Sequence, residues 1–380
     1  MIVEERLIGT FMELVRVDSE TKHEQAIAAE LKRRFAALGV RVAEDDTAAA
    51  TGHGAGNLIC TLEATADGAE VPVIFFTCHM DTVAPGNGIK PQLGEDGIIR
   101  SDGTTVLGSD DKAGIAAILE AIQAMREQGT RHGRIQIIIT AGEESGLVGA
   151  RAMDAKWLEA EFGFALDSGG SVGDIAVAAP AQSKIDIVIM GKSAHAGVNP
   201  EDGVSAITVA SKAVSRMPLG RIDHETTANI GSFAGGGATN VVCDHVVLKA
   251  EARSLDNAKL ERQVAAMRQA SESAAAEMGA AASFSSTIVY PAYKYDVSSP
   301  VVQLAMTALA SIGKTPRPFH SGGGSDANIF NGLGVPTVNL AVGYQKIHTK
   351  EESIAAADIV DTARAIIAIV QEAAKLRKRR

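Results

Sequence analysis

Cysteine is scarce in this sequence. There are three in 380 residues, Cys60, Cys78 and Cys243, far apart and without a CxxC pair. So thin a set excludes a disulfide framework and fits a reducing, cytoplasmic setting. Long apolar runs are missing too: no segment approaches the roughly 18 apolar residues of a membrane span. The first residues, MIVEERLIGT, carry acids where a secretory signal needs bases. Positive charge is also short, with a formal net charge of -10 and a pI near 5.5. With no basic face, nucleic acid and anionic membrane are poor partners. The one basic cluster, residues 375–380 (KLRKRR), ends the last predicted helix, where cations suit the helix dipole. What remains is an ordinary globular composition, 46% hydrophobic and 22% charged, on a chain long enough for two domains and a large core.

The organising stretch is residues 71–82, VPVIFFTCHMDT. Its continuous apolar run reads as a strand buried on both faces, as inside a parallel sheet. His79 and Asp81 follow at its carboxyl end, where open α/β sheets carry their chemistry. An imidazole there can bind a metal through one nitrogen while a carboxylate orients the other. Taken alone, it reads first as a satisfied histidine at a strand end; four other strand ends or turns that carry metal-type ligands reverse that preference. Cys78 beside it could be a nucleophile, but side chains alternate along a strand, so it should point away from His79 into the core.

Helical spacing predicts helices over 3–16 and 22–38, the second capped by Ser19 or Thr21 and closed by Gly39. Short strands near 41–44 and 57–62 precede the central one. Residues 84–109 are polar and glycine-rich, and lead through GSDDKAG into a helix. Asp110 and Asp111 read locally as an N-cap with an acidic first turn, while the surrounding glycines allow the backbone to carry Asp110 back toward the strand ends. A strand at 135–140 runs directly into AGEESG, and one at 162–166 into Asp167. The pattern then changes to an alternating strand at 182–190, a helix at 203–217, strands at 226–234 and 239–252, a helix at 257–278 and a strand at 282–289. This β-α-β-β-α-β order is a ferredoxin-like α+β unit inserted in the first domain. A helix at 301–312, the loop HSGGGSDAN (320–328), a buried strand at 336–342 and a closing helix at 353–377 complete the chain. The expected fold is α/β, a mixed, mostly parallel sheet flanked by helices. Its domains are 1–180 with 291–380, and the insertion 181–290.

Strand ends and turns thus present His79, Asp110, Glu144, Asp167 and His348. Two imidazoles and three carboxylates suit zinc, cobalt or manganese. Five ligands exceed one tetrahedral site and match two divalent ions sharing a carboxylate, a pair that holds a hydroxide and polarises a carbonyl. Glu143 is the spare acid for general-base work, and Asp81 the group that orients His79.

HMDT, GSDDKAG, AGEESG, LDSGG and the late His348 resemble, in order, the five ligand motifs of the M20 family of co-catalytic metallopeptidases, in its peptidase T-like branch. The resemblance spans essentially the whole chain and implies a zinc-exopeptidase-like catalytic domain. It implies that Asp110 bridges the ions, that His79 and Asp167 bind one, and that Glu144 and His348 bind the other. Glu143 would be the base and Asp81 the orienting acid. It further implies that the insertion is a lid and homodimer surface. There His195 (GKSAHAG) would stabilise the oxyanion, while Asn240 (GGGATNVV) and Arg253 (LKAEARS) would bind the substrate carboxylate. His195 is otherwise an unremarked surface-loop histidine, whereas Arg253, on a mostly apolar strand, wants an anion. His320 and Asp326 either order their loop or touch substrate. The compact segment 84–109 and YQKIHTKEE around His348 depart from the family's best-known tripeptidase. The implied activity is hydrolysis of short peptides. An N-acyl-amino-acid deacylase or carboxypeptidase on the same scaffold is the alternative; a silent binding protein and a Cys78–His79 hydrolase are the remaining rivals.

Overall fold

Period-two alternation in one strand decides how the first part of the molecule is layered. In Ile74–His79 all six residues are buried. Ile74, Phe76 and Cys78 enter a core shared with helices Glu4–Val15, Gln25–Ala37, Ser109–Gln128, Pro300–Ser311 and Ala356–Ala373. Val73 and Phe75 enter a second cluster on the opposite face, with Ile138, Met153, Phe330 and Val335. There Phe75 meets Phe330 edge-to-face at 4.9 Å between ring centroids, a contact worth about 1 kcal/mol beyond burial. It ties the short helix Asp326–Gly332 to the sheet.

The computed structural model describes residues 1–377; the last three residues of the basic run 375–380 lie outside the described residues. The chain divides into two compact units. One comprises Met1–Ala178, Tyr295–Ser321 and the chain from Ser325 onward, and the other Ala179–Lys294 with Gly322–Gly324.

In the first unit, Ile74–His79 lies between parallel neighbours Ile135–Thr140 and Phe162–Ser168, and Thr337–Ala341 runs parallel beyond the latter. Antiparallel strands Leu58–Leu62 and Arg41–Glu44 extend one side. Asp174–Ala179 extends the other, antiparallel to Thr337–Ala341 and parallel to Arg317–His320. The sheet is therefore mixed and mostly parallel, covered on both faces, as the apolar runs require. His79 pairs with Thr140, so the segments carrying Asp81 and Glu143 leave the sheet at the same edge.

The second unit is an antiparallel sheet in the order Gly220–Arg221, Thr226–Gly235, His245–Ser254, Ala181–Met190, Ala281–Tyr290. Helices Ala206–Arg216 and Asn257–Glu277 share its core. Ile185, Ile187 and Ile189 point into that core, while Lys184, Asp186 and Met190 alternate outward.

Several local expectations change. The second helix begins at Gln25 without a side-chain cap; Thr21 instead donates its hydroxyl to Asp81 Oδ2 at 2.8 Å. Asp110 and Asp111 are not an acidic first helical turn: both have non-helical dihedrals at the mouth of Ser109–Gln128. The strand expected at 239–252 starts at His245. The closing helix spans Ala356–Ala373 because Ser353–Ala355 is a strand, paired with Ile98–Arg100, which pairs in turn with Gln92–Leu93. No helix among the described residues is long and apolar enough to cross a membrane.

Candidate metal centre

Asp110 is the hub. Its Oδ1 lies 3.1 Å from His79 Nε2 and its Oδ2 3.4 Å from His348 Nε2. One carboxylate therefore faces an imidazole with each oxygen. His79 Nε2 is also 3.8 Å from Asp167 Oδ1, and His348 Nε2 is 2.9 Å from Glu144 Oε1. All five predicted ligands thus lie in one connected cluster within the first unit. Single-ion groupings of donor atoms are His79, Asp110 and Glu144, and His79, Asp111 and Asp167. Asp111, fully buried beside Asp110, was not expected among them.

Second contacts fix these side chains. His79 Nδ1 lies 3.0 Å from the Asp81 carbonyl and 3.4 Å from Asp81 Oδ1. Asp81 is fully buried, and its carboxylate accepts from the amides of Glu143 at 3.0 Å and Glu144 at 3.3 Å. It therefore orients the imidazole and the AGEESG turn together. Asn339 brackets Asp167, accepting from its amide at 2.9 Å and donating to its carbonyl at 2.6 Å. Tyr344 donates its hydroxyl to Asp167 Oδ1 at 3.1 Å. Glu352, 2% exposed, accepts four bonds from the segment that carries Asp110: the amides of Leu107 (2.8 Å), Gly108 (3.0 Å) and Asp110 (3.1 Å), and the Ser109 hydroxyl (2.6 Å). Sequence reasoning missed Thr21, Asn339, Tyr344 and Glu352. Asn339 lies in a strand and Glu352 in a run of charged residues, and neither has a local mark.

Electrostatics asks for cations. Burial pulls the His79 pKa down, yet Asp110, Asp81 and the charges of Asp167 and Glu143 outweigh it and hold it well above the usual imidazole range. Asp110 and Glu144 raise His348 to about 10. Burial and neighbouring acids push Asp167 and Glu143 well above ordinary carboxyls, and burial raises Asp326 to about 6. With Nδ1–H directed at Asp81, the His79 Nε2 lone pair faces carboxylate oxygens. Two acceptors face each other stably only if a proton or a metal ion lies between them. The donor set fits divalent ions of the zinc, cobalt and manganese kind.

The remaining candidates are not among the gathered donor atoms. Cys78 is in the core, its thiol pushed up by burial and by Asp111, the reverse of an activated nucleophile. Asp326 Oδ2 accepts from Thr140 at 2.5 Å, which anchors its loop, and His320 is exposed. In the second unit His195 and Asn240 are exposed and joined through the Ala196 amide, which donates to the Asn240 carbonyl at 2.9 Å. Arg253 already has an anion: Glu251, at 2.9 and 3.2 Å.

Imidazoles and carboxylates gathered at the carboxyl edge of a mostly parallel sheet define the class as a metallohydrolase of the α/β type. Residues 75–372 match the family model "Peptidase family M20/M25/M40". The chain is 56% identical over 375 residues to the uncharacterized protein YqjE of Bacillus subtilis (strain 168), covering 99% of this chain and 100% of that one. Among solved structures it is 58% identical to aminopeptidase PepT from Bacillus cereus ATCC 10987, with a TM-score of 0.93 and coverage of 98% and 99%. It is 46% identical to a tripeptidase from Staphylococcus aureus subsp. aureus Mu50, with a TM-score of 0.96 and coverage of 99% and 100%. The chain belongs to peptidase family M20/M25/M40, in its peptidase T-like branch, and is a metallopeptidase.

Proposed function

We propose that this chain is a di-metal exopeptidase that cleaves the peptide bond of short free-amine peptides, tripeptides among them. One observation carries the reading: Asp110 faces His79 with one oxygen and His348 with the other, as a carboxylate shared by two ions must. The names aminopeptidase and tripeptidase given to its structural relatives support the substrate class.

In this reading His79 and Asp167 hold one ion, Glu144 and His348 the other, and Asp110 both; zinc is the first choice for each. A bound pair supplies Lewis acidity, polarising the scissile carbonyl and lowering the pKa of water. The chain's own residues do the rest. Asp81 keeps the His79 ring and the Glu143 backbone in register. Glu143 makes no side-chain hydrogen bond or ion pair among the described residues, so its carboxylate is free to take a proton from water and deliver it to the leaving amine.

Residues 1–180 with 291–380 form the catalytic domain of the proposal, and 181–290 a lid and homodimer surface. His195 is assigned to oxyanion stabilisation, and Asn240 and Arg253 to the substrate carboxylate. Their support is the match of GKSAHAG, GGGATNVV and LKAEARS to the family pattern; Arg253 would exchange Glu251 for substrate. A cytoplasmic location fits the sparse, free cysteines.

The test is a hydrolysis screen over di-, tri- and N-acylated peptides before and after chelation. Free-amine tripeptides should be cleaved, chelation should abolish turnover, and zinc, cobalt or manganese should restore it. Turnover that survives thorough chelation would refute the metal mechanism. A preference for acylated amino acids would assign the scaffold to a deacylase instead.

A further inference from the structure

We propose that Glu352 is a positioning residue that fixes Asp110 relative to His348, and thereby sets the affinity for the ion those two residues share. The proposal rests on the di-metal reading above and goes beyond it, since Glu352 belongs to none of the ligand motifs.

Glu352 is a buried carboxylate whose four acceptor interactions all go to residues 107–110. Those donors are free to converge because the chain is not yet helical there. Gly108 has φ +72°, and no side chain caps the helix that follows. Successive amides curled round one point form an anion-binding concavity, and the anion in it is Glu352. The carboxylate therefore takes the place of the missing cap, and it holds Asp110 by its own amide.

Glu352 belongs to the same loop as His348. The Glu352 amide donates to the Thr349 carbonyl at 3.1 Å, and the loop is closed at its base by Gln345 and Ser353, which exchange bonds of 2.8 and 3.1 Å. His348 sits in that loop at φ +62°, a left-handed conformation uncommon for a residue with a β-carbon. One side chain thus joins the loops that present Asp110 and His348. Behind it, the pairing of Ser353–Ala355 with Ile98–Arg100 does not depend on the Glu352 side chain, so the segment should stay folded without it.

Glu352→Gln is the discriminating change. An amide keeps the shape but turns one acceptor into a donor facing two existing donors. The readout is zinc binding by competition with a chromogenic chelator, alongside melting of the metal-free protein. Wild type should take up two ions. Glu352→Gln should bind the ion shared with His348 about 10- to 100-fold more weakly than wild type does, and the other ion, which keeps His79 and Asp167, with a smaller loss. Excess zinc should then restore kcat with the tripeptide KM unchanged. Wild-type affinity at both sites in the variant would overturn the proposal, whatever its melting temperature. A wild type that binds no zinc would instead refute the di-metal reading. If Glu352→Gln fails to fold, Ser109→Ala removes one of the four donors and should weaken the same ion roughly three- to tenfold; unaltered affinity there would also overturn the proposal.

Discussion

Replacing Glu143 by Gln separates proton transfer from metal binding. The Glu143 amide is held by Asp81 Oδ1 at 3.0 Å, a bond that does not involve the Glu143 side chain, so the turn and its neighbour Glu144 should remain in place. What disappears is a carboxylate able to accept a proton. Such a group contributes about 10²- to 10⁴-fold, or about 2.7 to 5.4 kcal/mol on the barrier. Stability should move the other way. Shelter from solvent, with Asp326, Glu144 and Asp81 nearby, raises the Glu143 pKa well above the usual carboxyl range. A carboxyl raised on folding costs the native state progressively as pH rises through its unfolded value. At neutral pH the neutral amide removes that cost. Metal-free Glu143→Gln should therefore melt higher than metal-free wild type, by roughly 1 to 3 °C. The assays are metal content by elemental analysis, kcat on a tripeptide at saturating metal, and a thermal melt after chelation. Turnover within tenfold of wild type at full metal occupancy would remove Glu143 from the base role. Loss of one ion would make it a ligand rather than a base.

Two further expectations use groups outside the centre. Cys60 and Cys78 are buried, and burial holds both thiols far above the ordinary range. Cys243 is partly exposed. Iodoacetamide at neutral pH should therefore label Cys243 alone in the native protein, by peptide mass spectrometry, without loss of turnover; rapid labelling of Cys78 would reopen a thiol mechanism. Glu30 is lowered to about 2, first by its hydrogen bond to Arg33 and also by Arg34. A depressed carboxyl contributes stability above its unfolded pKa and loses it as pH falls toward the folded one. After screening at this partly exposed site, Glu30→Gln should cost about 1 kcal/mol at pH 7 and progressively less between pH 4.5 and pH 2. A deficit that stays constant down to pH 2.5 would show that Glu30 acts through packing.

What could be read along the chain was what depends on neighbours in sequence. Alternation placed Cys78 in the core and His79 on the other side, and the unbroken apolar runs implied a sheet covered on both faces. The β-α-β-β-α-β order was visible for the same reason, since each of its strands and helices carries its own period. Boundaries slipped where a tertiary partner outbid local preference. Thr21 is as good a cap as any, but Asp81 takes its hydroxyl. Residues 353–355 continue a helical pattern, but Ile98–Arg100 recruits them into a sheet.

The same competition decided Asp110. Locally, an acid pair before an apolar helical repeat is an ordinary first turn, and the neighbouring glycines only permit another path without specifying it. The contacts that draw it out of the helix come from Glu352, 242 residues away, and from two imidazoles, one ending a strand and one on a loop. A carboxylate that receives backbone amides leaves no periodicity and no motif, only a buried acid that would be costly anywhere else. The acids and imidazoles that gather in the cluster were readable because they follow strands and turns, while the residues that brace them were not. It follows that changing a supporting residue such as Glu352 or Asn339 should alter how tightly ions are held before it alters the fold. The side-chain hydrogen bonds of both residues go to backbone groups and hydroxyls beside the cluster.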